Sequence, residues 1–223
     1  MPDGQYSFYL HSDDRTDIAA MAIISTISQP LRGEFIRTAA TAGAVVYQVD
    51  ARLPALIPVF FAGQLSAVRL CAVMALVSGA WSSLTGLPDE PENGEAALPV
   101  SPETEYQRRR YTLTLQNGRS GERVESVLTE ASSRLRGDLL RNLIITGLAL
   151  HTTAPELPRL LASMPVPPTS VSELQALVQQ MAGTADVNRA AAAVPDTPTA
   201  SAAPVSGSDT REIKKNMRRA FGD

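Results

Sequence analysis

The 223-residue chain has one cysteine, Cys71, and two histidines, His11 and His151. No internal disulfide framework can form, and a zinc site built from Cys and His would be short of ligands. A reducing compartment is expected, with no metal and no cofactor. Only 5% of residues are aromatic, and neither sign of charge dominates: 20 Lys or Arg face 23 Asp or Glu, for a formal charge of −3. That balance excludes a strongly basic nucleic-acid binder but not a local basic patch. The start, Met1-Pro2-Asp3-Gly4, lacks the basic region and apolar run of a signal peptide, so a cytoplasmic protein is expected. No Gly-rich phosphate loop, GxSxG or HExxH occurs, so no catalytic residue and no enzyme is expected. The long apolar stretch Leu53 to Trp81 is interrupted by Pro54, Pro58, Gln64 and Arg69, which leaves no clean run of about 20 residues for a membrane span. It reads as a buried helix pair, with Leu65, Val68, Ala72, Ala75 and Leu76 on one face and Cys71 and Trp81 as core or interface residues.

What the chain does contain is itself, twice. Ser28 to Pro54 aligns without a gap on Ser132 to Pro158, at an offset of 104. Leu31/Leu135, Arg32/Arg136, Gly33/Gly137, Arg37/Arg141, Gly43/Gly147, Leu53/Leu157 and Pro54/Pro158 are identical. Upstream, Ala20, Ile23, Ile24 and Ile27 correspond to Val124, Val127, Leu128 and Ala131, a helical spacing. Before that helix lies a short alternating segment, with Tyr6, Phe8 and Leu10 in one copy and Tyr111, Leu113 and Leu115 in the other, here at an offset of 105. Each copy thus reads as strand, helix, helix. Ser28 and Ser132 are placed to cap the second helix, and Pro30 suits its first turn. Gly43 and Gly147 lie inside that helix, where Gly costs about 1 kcal/mol against Ala, so a close helix crossing is expected there.

A lone strand followed by two helices cannot satisfy its own edges, so each copy needs the other or a second chain. The fold class expected is mainly α, a tandem ribbon-helix-helix with a short antiparallel β-ribbon, further helical regions and a disordered C-terminal tail. The expected division is 1–87 for the first repeat with its helical extension and 88–105 for an acidic, Pro-rich linker. It continues with 106–183 for the second repeat and its extension, 184–209 for a disordered linker and 210–223 for a basic amphipathic helix.

A two-stranded ribbon fits the major groove of DNA, which is about 12 Å wide. With Tyr6, Phe8, Leu10, Tyr111, Leu113 and Leu115 inward, the outer face carries Ser7, Tyr9, His11, Thr112, Thr114 and Gln116, with Arg110 just before. Any solvated strand face is polar, so alternation alone does not establish base reading. The second helices add to the case: their exposed N-termini, with Arg32-Gly33 and Arg136-Gly137, make two candidate phosphate seats. Because the two strands differ, a chain that pairs with itself would meet unequal half-sites.

The segment Arg37 to Pro54 (RTAATAGAVVYQVDARLP), with Thr41-Ala42-Gly43, Tyr47 and Asp50-Ala51-Arg52 before Pro54, resembles the ribbon-helix-helix domain of the ParR family of plasmid partition adaptors. The resemblance is dense from Gln29 to Pro54 and is echoed, without the Tyr and Asp, from Ser132 to Pro158. It implies that the strand binds centromere-like DNA repeats and that a helical region after the second helix, here Ala55 to Leu84 and Glu173 to Met181, builds adaptors into an array. The departure is the duplication, since that family carries one unit per chain and forms homodimers. Whether the two repeats pair within one chain or between chains stays open at this point. A ribbon-helix-helix repressor or conjugation accessory protein would share the DNA half.

From Thr184 to Asp209 the chain is Ala, Pro, Ser and Thr without apolar periodicity, which reads as a flexible tether. It ends in Thr210 to Asp223, where Ile213, Met217 and Phe221 recur every four residues among Lys214, Lys215, Arg218 and Arg219. Such a basic amphipathic segment is too short to be a stable helix alone and is expected to fold on a partner. An acidic protein groove, DNA phosphates and an anionic membrane surface all fit its chemistry. By the resemblance, the partner is an actin-like filament ATPase.

Overall fold

A computed structural model describes residues 4–79 and 107–192. The chain divides into a compact unit, Met1–Asn188, and a second unit, Arg189–Asp223. The expected linker at 88–105, Trp81 and the C-terminal segment 210–223 lie outside the described residues. The elements of the first repeat are β1 (Gln5–His11), α1 (Arg15–Thr26), α2 (Gln29–Val49), α3 (Leu53–Phe60) and α4 (Ala67–Ser78). Those of the second are β2 (Arg108–Thr114), α5 (Arg119–Glu130), α6 (Arg136–Thr153), α7 (Leu157–Ser163) and α8 (Val171–Ala192). The fold is mainly helical with one short antiparallel ribbon, as the sequence predicts.

The two strands pair with each other inside one chain. Gln5 opposes Thr114, Ser7 opposes Thr112, Tyr9 opposes Arg110 and His11 opposes Arg108. That register turns Phe8, Leu10, Leu113 and Leu115 into the core, with Phe8 stacked on its cross-strand partner Tyr111 at 5.2 Å between ring centroids. The single hydrophobic core is built from both repeats, so neither strand leaves an apolar face in water.

Below the ribbon, α2 and α6 cross at the two glycines. A Cβ on Gly43 would overlap the carbonyl oxygen of Leu143, and one on Gly147 would overlap that of Ala39. Ala39 and Leu143 are themselves equivalent, so the crossing obeys the internal symmetry. Backbone meets backbone there, and this close approach explains why two helix-weakening glycines recur at one offset.

The duplication continues past the segment that shows it in sequence. Pro54 and Pro158 sit in the first turns of α3 and α7, where a missing N–H costs nothing. The Oγ of Ser66 caps α4 by accepting from the Arg69 N–H, and the Oγ of Ser170 does the same from Glu173 before α8. Thr16 Oγ1 donates to the carbonyl of Pro58, and its counterpart Ser120 donates to that of Ala162, tying each first helix to the end of the third.

Three local expectations need correction. β2 starts at Arg108 rather than Tyr111, because cross-strand bonding carries through three arginines that show no apolar alternation. Ser28 precedes α2 and Ser132 precedes a turn before α6, but neither side chain caps. Their carbonyls do the local work instead, accepting from Leu31 N–H and Leu135 N–H at 3.0 and 2.9 Å. In α4 the buried residues are Leu70, Cys71, Val73, Met74, Ala75 and Val77, while Leu76 is exposed, so the expected face is rotated. A helix apolar on every side gives periodicity nothing to select. Helix α8 runs on through residues 184–192, at the Ala-rich start of the segment read as a tether, in keeping with the high helix propensity of Ala. No helix among the described residues is long and apolar enough to cross a membrane.

Candidate nucleic-acid interface

The pleat that buries Phe8 and Leu113 sends the alternate side chains outward. On β1 these are Gln5, Ser7, Tyr9 and His11, and on β2 Arg108, Arg110, Thr112 and Thr114. Gln116 lies just past the strand end and is exposed. All seven ribbon residues expected at a DNA interface, Ser7, Tyr9, His11, Arg110, Thr112, Thr114 and Gln116, are thus on one outer surface or at its edge. Arg108 belongs with them and was counted only as flanking charge in the sequence.

The outer face is internally organised. Arg110 donates from Nε and Nη2 to Ser7 Oγ across the strands, at 3.2 and 3.0 Å. The Arg108 guanidinium lies over the Tyr9 ring, 3.5 Å from its centroid, a cation–π contact that holds a long side chain against the ribbon. The His11 backbone N–H donates to the buried Asp17 carboxylate at 2.9 Å, which fixes the end of β1. Ser12 Oγ accepts from Gln107 N–H and closes the same end.

Each second helix flanks the strand of the other repeat. Arg136 on α6 is near enough to Tyr6 to favour its ionised form, and Arg32 on α2 acts likewise on Tyr111, although burial is the larger effect and pushes both phenols up. A Cβ on Gly137 would stand 3.4 Å from the Ser7 carbonyl oxygen, so α6 begins in contact with β1. Gly33 is exposed, with open space apart from the Arg37 guanidinium. Both arginines also have a local structural role that the sequence did not reveal. Arg32 Nε donates to the Ile27 carbonyl at 2.7 Å and Arg136 Nε to the Ala131 carbonyl at 3.2 Å. Each satisfies the last carbonyls of the preceding helix and leaves other guanidinium N–H groups available for an anion.

One ion pair links the repeats and has no counterpart. Asp17, fully buried at the start of α1, accepts from Arg141 Nε at 2.7 Å, and Arg141 also reaches Asp14 at 3.1 Å. Burial pushes the Asp17 carboxyl up, while the His11 N–H and Arg141 pull it back toward ionisation. The equivalent of Asp17 is Gly121, and the equivalent of Arg141 is Arg37, which pairs instead with Glu34 on the surface. His151 packs edge-on against Phe35, and its Nδ1 is 3.1 Å from the Pro155 carbonyl, as expected of a packing residue.

The model of a family described as plasmid stability protein matches the chain twice, over residues 4–74 and 109–178, which together make more than half of it. The two matched stretches are the two repeats, each from strand to fourth helix. No curated protein and no solved structure matches.

Proposed function

The chain belongs to the plasmid stability protein family, and from that premise we propose that it is a cytoplasmic, non-catalytic DNA-binding adaptor of a ParR-like partition system. The ribbon enters the major groove of centromere-like repeats, and the N-termini of α2 and α6 seat the flanking phosphates. The observation that carries this reading is the complete ribbon formed within one chain, whose outer face holds Ser7, Tyr9, His11, Arg108, Arg110, Thr112 and Thr114. These are hydrogen-bonding and cationic groups on a scaffold narrow enough for the groove.

Arg32, Gly33, Arg136 and Gly137 bind backbone rather than bases. They set affinity and salt dependence, while Arg110, Thr112, Thr114 and Gln116 set sequence preference. The C-terminal segment, through Ile213, Lys214, Lys215, Met217, Arg218, Arg219 and Phe221, docks on an actin-like filament ATPase. Several chains arrayed on DNA raise the effective concentration of these segments at a filament end.

Fluorescence anisotropy on DNA from just upstream of its own gene, at several salt concentrations and against a scrambled duplex, tests the DNA half. Tight, salt-steep, sequence-preferring binding is expected, and no preference at any salt would overturn the reading. Deleting Thr210 to Asp223 should abolish plasmid stability and spare DNA binding. Equal loss of both, or of neither, would sink the filament role.

A further inference from the structure

The register of the ribbon locates its internal two-fold axis. Strand residues are equivalent at an offset of 105, so Gln5 corresponds to Arg110, Ser7 to Thr112 and Tyr9 to Thr114. Among the outward pairs, only Ser7 and Thr112 are both opposite and equivalent, so the axis passes between them. Going one way along the outer face from that centre, the next pair is Tyr9 with Arg110, followed by His11 with Arg108. Going the other way, the next pair is Thr114 with Gln5. The two arms occupy symmetric positions on the same scaffold, yet one carries two guanidiniums and an aromatic ring and the other only neutral hydrogen-bonding groups.

The charged arm is also shaped. Arg110 turns its Nε edge to Ser7 Oγ, which leaves the Nη1/Nη2 edge open. That edge is the fork that matches the paired acceptors O6 and N7 of guanine. Arg108, laid on the Tyr9 ring, is held on the same arm. On the neutral arm Gln5 holds the position equivalent to Arg110, and a glutamine amide matches adenine N6 and N7. In a homodimeric ribbon the arms would be copies and the site a palindrome, whereas a duplicated chain is free of that constraint.

We propose that this ribbon reads an asymmetric DNA site in one orientation, with guanine under the Tyr9/Arg110 arm and adenine under the Gln5/Thr114 arm. The proposal rests on the DNA-binding reading above. It makes Arg110 and Gln5 the residues that set polarity, so that every chain on a row of direct repeats points the same way along the DNA.

The test is selection from a pool of duplexes with about 20 randomised base pairs, carried out with the full chain and with Arg110→Gln, which places glutamine on both arms. The full chain should enrich a non-palindromic consensus with guanine in one half only. Arg110→Gln should weaken discrimination for that guanine by about tenfold to a hundredfold and draw the consensus toward two-fold symmetry. Arg110 is exposed, and a thermal melt of the variant matching that of the parent would show that the fold is intact. A palindromic consensus from the full chain, or an undiminished guanine preference in Arg110→Gln, would overturn the oriented reading while leaving DNA binding in place. No enrichment from the parent chain would overturn both readings.

Discussion

The two repeats keep the same backbone and different contacts, and the difference separates what the fold requires from what has been free to change. Both retain the glycine crossing, the arginine bound to the preceding helix, the hydroxyl tie from first to third helix and the serine cap of the fourth. These are backbone-geometry devices, and losing one on either side would shift a whole helix. They diverge where a side chain meets solvent or a neighbour once. The buried Asp17–Arg141 pair of one side is replaced by Gly121 and the surface Arg37–Glu34 pair on the other. α3 exposes Leu56, Val59 and Phe60, whereas the matching positions of α7 are Leu160, Ser163 and Met164. The outer face of the ribbon diverges most, from Gln5 to Arg110 and from Tyr9 to Thr114.

The sharpest way to break the equivalence is at the matched arginines. Arg141→Ala leaves Asp17 buried without its partner and should cost about 3–5 kcal/mol in a denaturant melt. Arg37→Ala, its counterpart, removes a surface pair and should cost at most about 1 kcal/mol. The Arg141→Ala deficit should also shrink on acidification. Burial already raises the Asp17 carboxyl, and losing Arg141 raises it further, so the folded chain takes up a proton at a pH where the unfolded chain does not. A deficit that grows as pH falls from neutral would show that the assigned direction is wrong.

The glycines should behave alike where the arginines do not. Gly43→Leu and Gly147→Leu each force apart the same crossing, and each should cost about 1–3 kcal/mol or more, to a similar extent. A large cost on one side only would mean that α2 and α6 do not meet as described. Smaller again, Ser66→Ala and Ser170→Ala should each remove about 1 kcal/mol through lost caps. Smallest in stability but visible in binding, Arg32→Ala and Arg136→Ala should each flatten the salt slope of DNA binding by about 1 and weaken all sequences alike. A change in sequence preference instead would move these arginines from phosphate to base.

Much of this was legible in the chain, for identifiable reasons. The repeat, the strand faces and the glycine crossing were readable because Gly, Arg and Pro at a fixed offset mark geometry rather than composition. The fourth helices escaped notice as a repeat because a capping serine and one leucine, Leu70 and Leu174, are nearly all they share. Arg108 was missed as a strand residue because three consecutive arginines show no alternation. The Asp17–Arg141 pair could not be seen at all, since its partners stand 124 residues apart and local pattern carries no long-range contact. Nor could the sequence choose between one chain and two, because a homodimer and a self-paired duplication share every local signal.

That choice is the centre of the account, and one measurement addresses it. With the lone cysteine removed by Cys71→Ser, a paired Ser7→Cys and Thr112→Cys substitution places two thiols directly opposite across the ribbon. Facing residues of antiparallel strands are about 4.5–5.5 Å apart at Cα, within disulfide range. After oxidation and denaturation, the account predicts an internally linked monomer at every protein concentration. Covalent dimers that increase with concentration would show that the ribbon is made between chains, and would contradict it.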